Sequence, residues 1–264
     1  MDLQLAGRRA LVTGSTSGIG YAIAHGLAAE GAQVTVTGRT DASVQEALAR
    51  LREAVPEARV SGIAADCASA EGAVAVCASL PDVDILVNNL GIYDRKPAFE
   101  ISDAEWLRFF EVNVLSGVRF ARHYAPRMAK AGWGRVLFVS SESALNIPRE
   151  MIHYGMTKTA QLSISHGFAM ELAGTGVTVN ALLPGPTRTA NTEKMRAERA
   201  KAAGKTIAEL EEEFFTVFRP TSLLKRFTSA EEVANLAVYL CSTRASATTG
   251  AALRVDGGVV NQIM

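Results

Sequence analysis

The chain carries no surplus of charge of either sign: 27 Lys and Arg stand against 27 Asp and Glu in 264 residues. That balance argues against nucleic acid or an anionic membrane as a main partner, because both require a basic footprint. Cysteine is scarce. Cys67, Cys77 and Cys241 are too few and too scattered for a disulfide framework or a structural zinc site, and the usage fits a reducing compartment. His25, His123 and His166 have no acidic or cysteine partners at ligand spacing, so no metal site is expected. No window approaches the ~20 apolar residues of a membrane helix. Met1 to Gly7 includes Asp2 and no apolar run of the export-signal kind. These absences together predict a soluble cytoplasmic protein with no membrane or nucleic-acid partner.

What the chain has is apolar content and glycine. Hydrophobic residues make up 48%, enough for a sizeable core. Short β-branched runs alternate with helical patterns. Strands are predicted at Ala10–Thr13, Gln33–Thr37, Val60–Ala64, Ile85–Val87, Val136–Val139 and Val177–Leu183. Helices are predicted at Tyr21–Ala29, Ser43–Val55, Ala104–Ala129, Met156–Ala173 and Ala230–Leu240, the last opened by Thr228 and Glu231 at capping-box spacing. Such alternation implies right-handed crossovers and a parallel sheet covered on both faces, a doubly wound α/β fold. With no repeat or linker, residues 1–264 read as a single domain. One stretch, about 190–220, is helical and charge-rich and contains no strand. Ile207, Leu210, Phe214 and Val217/Phe218 make an apolar stripe there, which suits either a packed surface helix or a lid over a substrate cleft.

The first strand runs into Thr13-Gly14-Ser15-Thr16-Ser17-Gly18-Ile19-Gly20. Glycines in a strand-to-helix turn let backbone approach a pyrophosphate at the positive end of a helix. Taken alone, a glycine cluster is a weak signal, since many tight turns need glycine. Gly204-Lys205-Thr206 mimics the end of a phosphate loop, but Arg199 stands where the required glycine belongs.

The T-G-x-x-x-G-x-G spacing resembles the short-chain dehydrogenase/reductase family, and the likeness runs through most of the chain. Asn88-Asn89-Leu90-Gly91 follows the fourth strand; Ser141, Tyr154 and Lys158 follow at intervals of thirteen and four; Pro184-Gly185 precedes Thr189; Val255-Asp256-Gly257-Gly258 comes near the C-terminus. The resemblance implies a Rossmann-type fold, an enzyme acting on CH–OH or C=O with NAD(P), and a homo-oligomer, tetramer or dimer. It implies a catalytic set of Asn113, Ser141, Tyr154 and Lys158, with Asn113 holding a water in a proton relay. It also implies cofactor contacts from Gly14, Ser15, Ser17, Gly18, Ile19, Gly20, Asp66, Asn89, Gly91, Tyr154, Lys158, Pro184, Gly185, Thr187 and Thr189. The chain departs from the family at Leu90, Ala144 and Thr187, none of which is a catalytic position.

Elementary chemistry supports that set. Tyr154 and Lys158 are four apart and share one helix face. A tyrosine near pKa ~10 is a poor proton donor or acceptor at neutral pH, and a neighbouring ammonium is expected to pull it down. Ser141 can donate to an oxygen as negative charge develops on it. Each residue alone would be unremarkable: a packing tyrosine, a solvated lysine, a turn serine. His153 adjoins Tyr154 but should face away from it, leaving at most a place at the substrate rim.

Cofactor choice is read at the end of the second strand, where an acid binds the ribose hydroxyls of NAD and an arginine pairs with the 2′-phosphate of NADP. Here the strand ends Thr37-Gly38-Arg39, so NADP(H) is expected to be preferred, with NAD(H) the alternative. Ser17 stands where many NADP-preferring relatives carry a second basic residue. Ile92–Arg95, Glu142–Met151 and the segment after Thr189 are expected to meet the substrate. Phe214, Phe215 and Phe218 lean the expectation towards a medium-sized, partly apolar ketone or secondary alcohol, while Arg149 reads as a solvated residue or a partner for a substrate carboxylate. The readings left open are an NAD-dependent alcohol dehydrogenase and a non-catalytic cofactor-binding protein.

Overall fold

The computed structural model describes residues 1–263. Seven parallel strands form the main sheet: β1 (Arg9–Val12), β2 (Gln33–Gly38), β3 (Arg59–Ala64), β4 (Ile85–Asn88), β5 (Gly134–Val139), β6 (Val177–Pro184) and β9 (Ala252–Val255). Their spatial order is β3-β2-β1-β4-β5-β6-β9, so the winding reverses between β1 and β4. At such a switch point the loops leaving two neighbouring strands diverge and open a crevice. Two further two-residue strands, β7 (Thr187–Arg188) and β8 (Thr228–Ser229), pair with each other beside the sheet.

Strand alternation builds the two halves of the core. Ala10 and Val12 of β1, with Ile85 and Val87 of β4, point to one face, which α1 (Gly18–Ala29), α2 (Asp41–Ala54) and α9 (Ala230–Leu240) cover. Leu11 and Leu86 point to the other, beneath α3 (Ala70–Ser79), α5 (Ser116–Ala131) and α6 (Ile152–Glu171). Burial on both faces is why these strands read as continuous apolar runs. Helix α4 (Asp103–Phe110) joins α5 through a π turn at Glu111–Leu115.

The α/β reading holds, with local corrections. Helix α6 starts at Ile152 rather than Met156, which places Tyr154 in its first turn. The α3 helix was missed, because its Ala-Val-Cys content lacks a strong polar face. The capping box before α9 is Ser229 with Glu232, one residue beyond the expected pair; Thr228 instead sits in β8.

The 190–220 segment forms α7 (Ala190–Ala203) and α8 (Ile207–Glu213) and ends in a second π turn, Phe214–Phe218. The expected apolar stripe packs only in part, through the half-buried Leu210 and Phe214, the latter against Phe215 and Phe227. Ile207, Val217 and Phe218 are exposed, and Phe215, which lies off the stripe, is the buried residue. A π turn inserts an extra residue and rotates the side chains that follow, so a regular 3.6-residue period picks the wrong phenylalanine.

Candidate active site

The turn after β1 holds Gly14 and Gly18 at φ +61° and +60°, a conformation that side chains resist. A Cβ on Gly20 would lie 2.6 Å from the Gly14 carbonyl oxygen, so turn and helix approach as closely as glycine allows. Ser17 precedes α1 without a side-chain cap. The first-turn N–H groups therefore keep their donors and a positive helix end for an anion. Asn89 secures the turn from β4: its Nδ2 donates to the Thr13 and Gly14 carbonyls at 2.9 and 3.0 Å. Leu90 packs its side chain beside Gly14.

A groove of about 320 Å³ starts at this turn. Ser17, Gly18, Ile19 and Gly20 form one end; Asn89 and Gly91 line the wall; Tyr154, Lys158, Gly185, Thr187 and Thr189 close the other end. The structure thus gathers most of the residues expected to contact a cofactor, and the free helix end and glycine cradle fit a pyrophosphate. Ser15 is not among the lining residues. It is fully buried, its Oγ donating to the Val12 carbonyl at 2.6 Å and accepting from Thr37 N–H at 3.0 Å, so its side chain stitches β1 to β2. Gly14 and Pro184 are not among the lining residues either. Arg39 and Asp66 lie outside the groove as well, exposed beyond the paired ends of β2 and β3.

Ser141 follows β5 and Tyr154 lies in the first turn of α6, and both side chains line the same cleft. Burial pushes the Tyr154 phenol up to about 12, and the nearby Ser141 hydroxyl offsets only part of that rise. Lys158 is 4% exposed, and burial drives its ammonium down to about 7. Its Nζ donates to the Val139 carbonyl at 2.9 Å and to Gln161 Oε1 at 3.2 Å, lying 5.5 Å from the centre of the Tyr154 ring. The expected depression of Tyr154 by Lys158 is therefore absent here. The ammonium is turned towards other oxygens, and burial outweighs its field.

Asn113 sits in the π turn between α4 and α5, fully buried. Its Oδ1 accepts from Ile92 N–H at 2.7 Å, and its Nδ2 donates to the Ile92 carbonyl and Thr157 Oγ1. Its own carbonyl accepts from Gln161 Nε2 at 2.6 Å. A π turn leaves a carbonyl without its usual helical partner, and Gln161 takes it. One glutamine side chain thus bridges Asn113 and Lys158. Gln161 was missed, although its spacing, three beyond Lys158 on the same helix, was a readable signal.

A wider cleft of about 510 Å³ meets the groove at Tyr154, Gly185 and Thr187. Tyr93 to Arg95, Glu142, Ser143 and Met151 line it as expected, whereas Asn146 to Arg149 do not. Helix α7 adds Thr192, Met195, Arg196 and Arg199, and of the three insertion phenylalanines only Phe214 reaches it, beside Phe227. Tyr93 hydroxyl contacts Asn191 and Met195 of α7, so the insertion roofs the cleft. His153 faces away from Tyr154, buried against Phe109 and Trp106, and takes no place at the rim. Among the described residues no cluster of His, Cys, Asp or Glu could hold a metal, and no helix is long and apolar enough to cross a membrane.

A family model described as enoyl-(acyl carrier protein) reductase matches residues 14–260. The chain belongs to the short-chain dehydrogenase/reductase family. It is 46% identical to the uncharacterized oxidoreductase YvaG of Bacillus subtilis, over the whole of both chains. L-sorbose reductase of Gluconobacter frateurii, solved with NADPH and L-sorbose, superposes with a TM-score of 0.92 at 34% identity, again over the whole of both. A putative NAD(P)-dependent gluconate 5-dehydrogenase of Beutenbergia cavernae, solved with NADP, gives 0.85 at 36% identity over 99% of this chain and 100% of that one. The chain is thus an oxidoreductase of alcohol and carbonyl groups that uses a nicotinamide cofactor.

Proposed function

We propose that the protein transfers a hydride between NADP(H) and a ketone or secondary alcohol, with Ser141, Tyr154, Lys158 and Asn113 as its working set. The observation that carries this reading is the Ser141–Tyr154 pair at the junction of groove and cleft, with Lys158 buried beside it. The bound nicotinamide supplies the hydride in reduction and accepts it in oxidation. Ser141 donates to the substrate oxygen as charge builds there. Tyr154 gives its proton to that oxygen in reduction and takes it back in oxidation. Lys158 lies against Gly91, within the groove, where its ammonium suits ribose hydroxyls. Gln161 fixes that ammonium and ties it to the Asn113 carbonyl. The α7–α8 insertion serves as the lid, and the chain assembles as a homo-oligomer.

NADPH preference rests on Arg39, exposed at the end of β2 with no acid at Gly38. Charge-assisted bonds to a phosphate contribute about 1.5–3 kcal/mol. Arg39→Ala is therefore expected to lower the NADPH-over-NADH ratio of kcat/KM at least ~10-fold. A panel of ketones and secondary alcohols, followed at the nicotinamide absorbance with each cofactor, tests the whole reading. Efficiency with NADH equal to or better than with NADPH refutes the cofactor assignment; no turnover of any carbonyl refutes the function.

A further inference from the structure

Four arginines reach the substrate cleft, Arg95, Arg196, Arg199 and Arg219, against two acids, Asp94 and Glu142. Two of the four are already satisfied. Arg196 bonds Glu193 and Glu211, each at 2.6 Å, and Arg219 bonds Glu142 at 2.8 Å. Arg95 and Arg199 form no ion pair among the described residues. Arg95 rises from the segment after β4 and Arg199 from α7 of the roof, so two unpaired cations of like sign face the same space. Desolvation and the neighbouring Arg199 and Arg219 charges push the Arg95 pKa down, with Glu150 opposing them. Like charges held together cost free energy unless an anion lies between them. The cleft wall is otherwise largely apolar, formed by Tyr93, Met151, Pro186, Met195, Phe214 and Phe227. Ser141, Ser143 and Thr192 add hydroxyls to it.

We propose that the substrate is a ketone or secondary alcohol bearing a carboxylate, which is held between Arg95 and Arg199 while the reacting carbon lies at Tyr154. The assignment rests on the proposed function and adds a carboxylate to the medium-sized, partly apolar ketone or alcohol expected from the insertion phenylalanines. Binding the anion would join the roof to the body of the protein, so lid closure and acid recognition become one event. The cleft volume, about 510 Å³, is that of a small-molecule site.

The test compares 5-keto-D-gluconate with L-sorbose, which share the ketone and its neighbouring hydroxyls and differ in a terminal carboxylate against CH₂OH. With NADPH, the acid is expected to show at least ~10-fold higher kcat/KM, and Arg95→Gln or Arg199→Gln to shrink that preference at least ~10-fold. Thermal shifts with each compound in the presence of NADPH provide a readout independent of turnover. Equal efficiency and equal shifts for the two compounds, or a preference untouched by both substitutions, overturn the carboxylate site and leave the function standing. An Arg95-dependent shift with the acid and no turnover of any carbonyl upholds the carboxylate site and overturns the function.

Discussion

Replacing Tyr154 with Phe is expected to cut kcat for carbonyl reduction about 10³-fold, since a positioned proton donor contributes about 10²–10⁴. The substitution removes one hydroxyl and keeps the ring, which packs edge-on to Tyr93 at 6.3 Å. NADPH affinity, measured by fluorescence titration, should therefore stay within ~3-fold; the glycine turn and the α1 terminus that cradle the pyrophosphate lie elsewhere. The pH dependence follows from the phenol's position at about 12. At neutral pH it holds its proton, the form that reduction consumes. Oxidation needs the deprotonated form and should quicken as pH rises, while reduction stays level until alkaline pH. In the Phe variant both dependences should vanish with the activity. Reduction rates within ~10-fold of the parent would remove Tyr154 from its proposed role.

The sheet and much of the site were legible because their determinants are local. Short apolar runs ending in Gly14 or Asn88 mark strand ends at the switch point, and a four-residue step puts Tyr154 and Lys158 on one face. What escaped depends on register or on long-range convergence. Neither π turn has a periodic signature, so the phenylalanine stripe failed at Phe215, and the carbonyl that Asn113 offers to Gln161 went unseen. Glu142 and Arg219, 77 residues apart, form a buried pair between the loop after β5 and the end of the insertion; neither neighbourhood hints at the other. Arg149 stood out through its place in a substrate-facing segment, yet the fold turns it to solvent and brings Arg95 and Arg199 to the cleft instead. Ser15 takes side-chain contacts that its motif does not announce. It belongs to the nucleotide-binding motif, but a hydroxyl already committed to Val12 and Thr37 has a structural task.

Lys158→Met is expected to lower kcat/KM at least ~10²-fold while changing how stability responds to pH. Met nearly matches the lysine stem and carries no charge, so the groove loses its ammonium with little change in volume. The stability effect has a definite sign. Burial lowers the folded-state pKa of Lys158 to about 7, from an ordinary 10.5. Between those values the unfolded chain binds more protons than the fold, so rising pH stabilises the wild type through this group. Each pKa unit corresponds to about 1.4 kcal/mol, which puts the full swing at several kcal/mol. Met does not titrate. The Val139 carbonyl and Gln161 Oε1 lose their donor in the variant, at a cost independent of pH. Urea denaturation of both cofactor-free proteins at pH 6.5 and 9.5 isolates the titrating part. Stability of the wild type relative to the variant should rise by several kcal/mol between the two pH values. Parallel profiles would mean that Lys158 stays charged in the fold up to its ordinary range, and that the Val139 and Gln161 oxygens fully offset its burial.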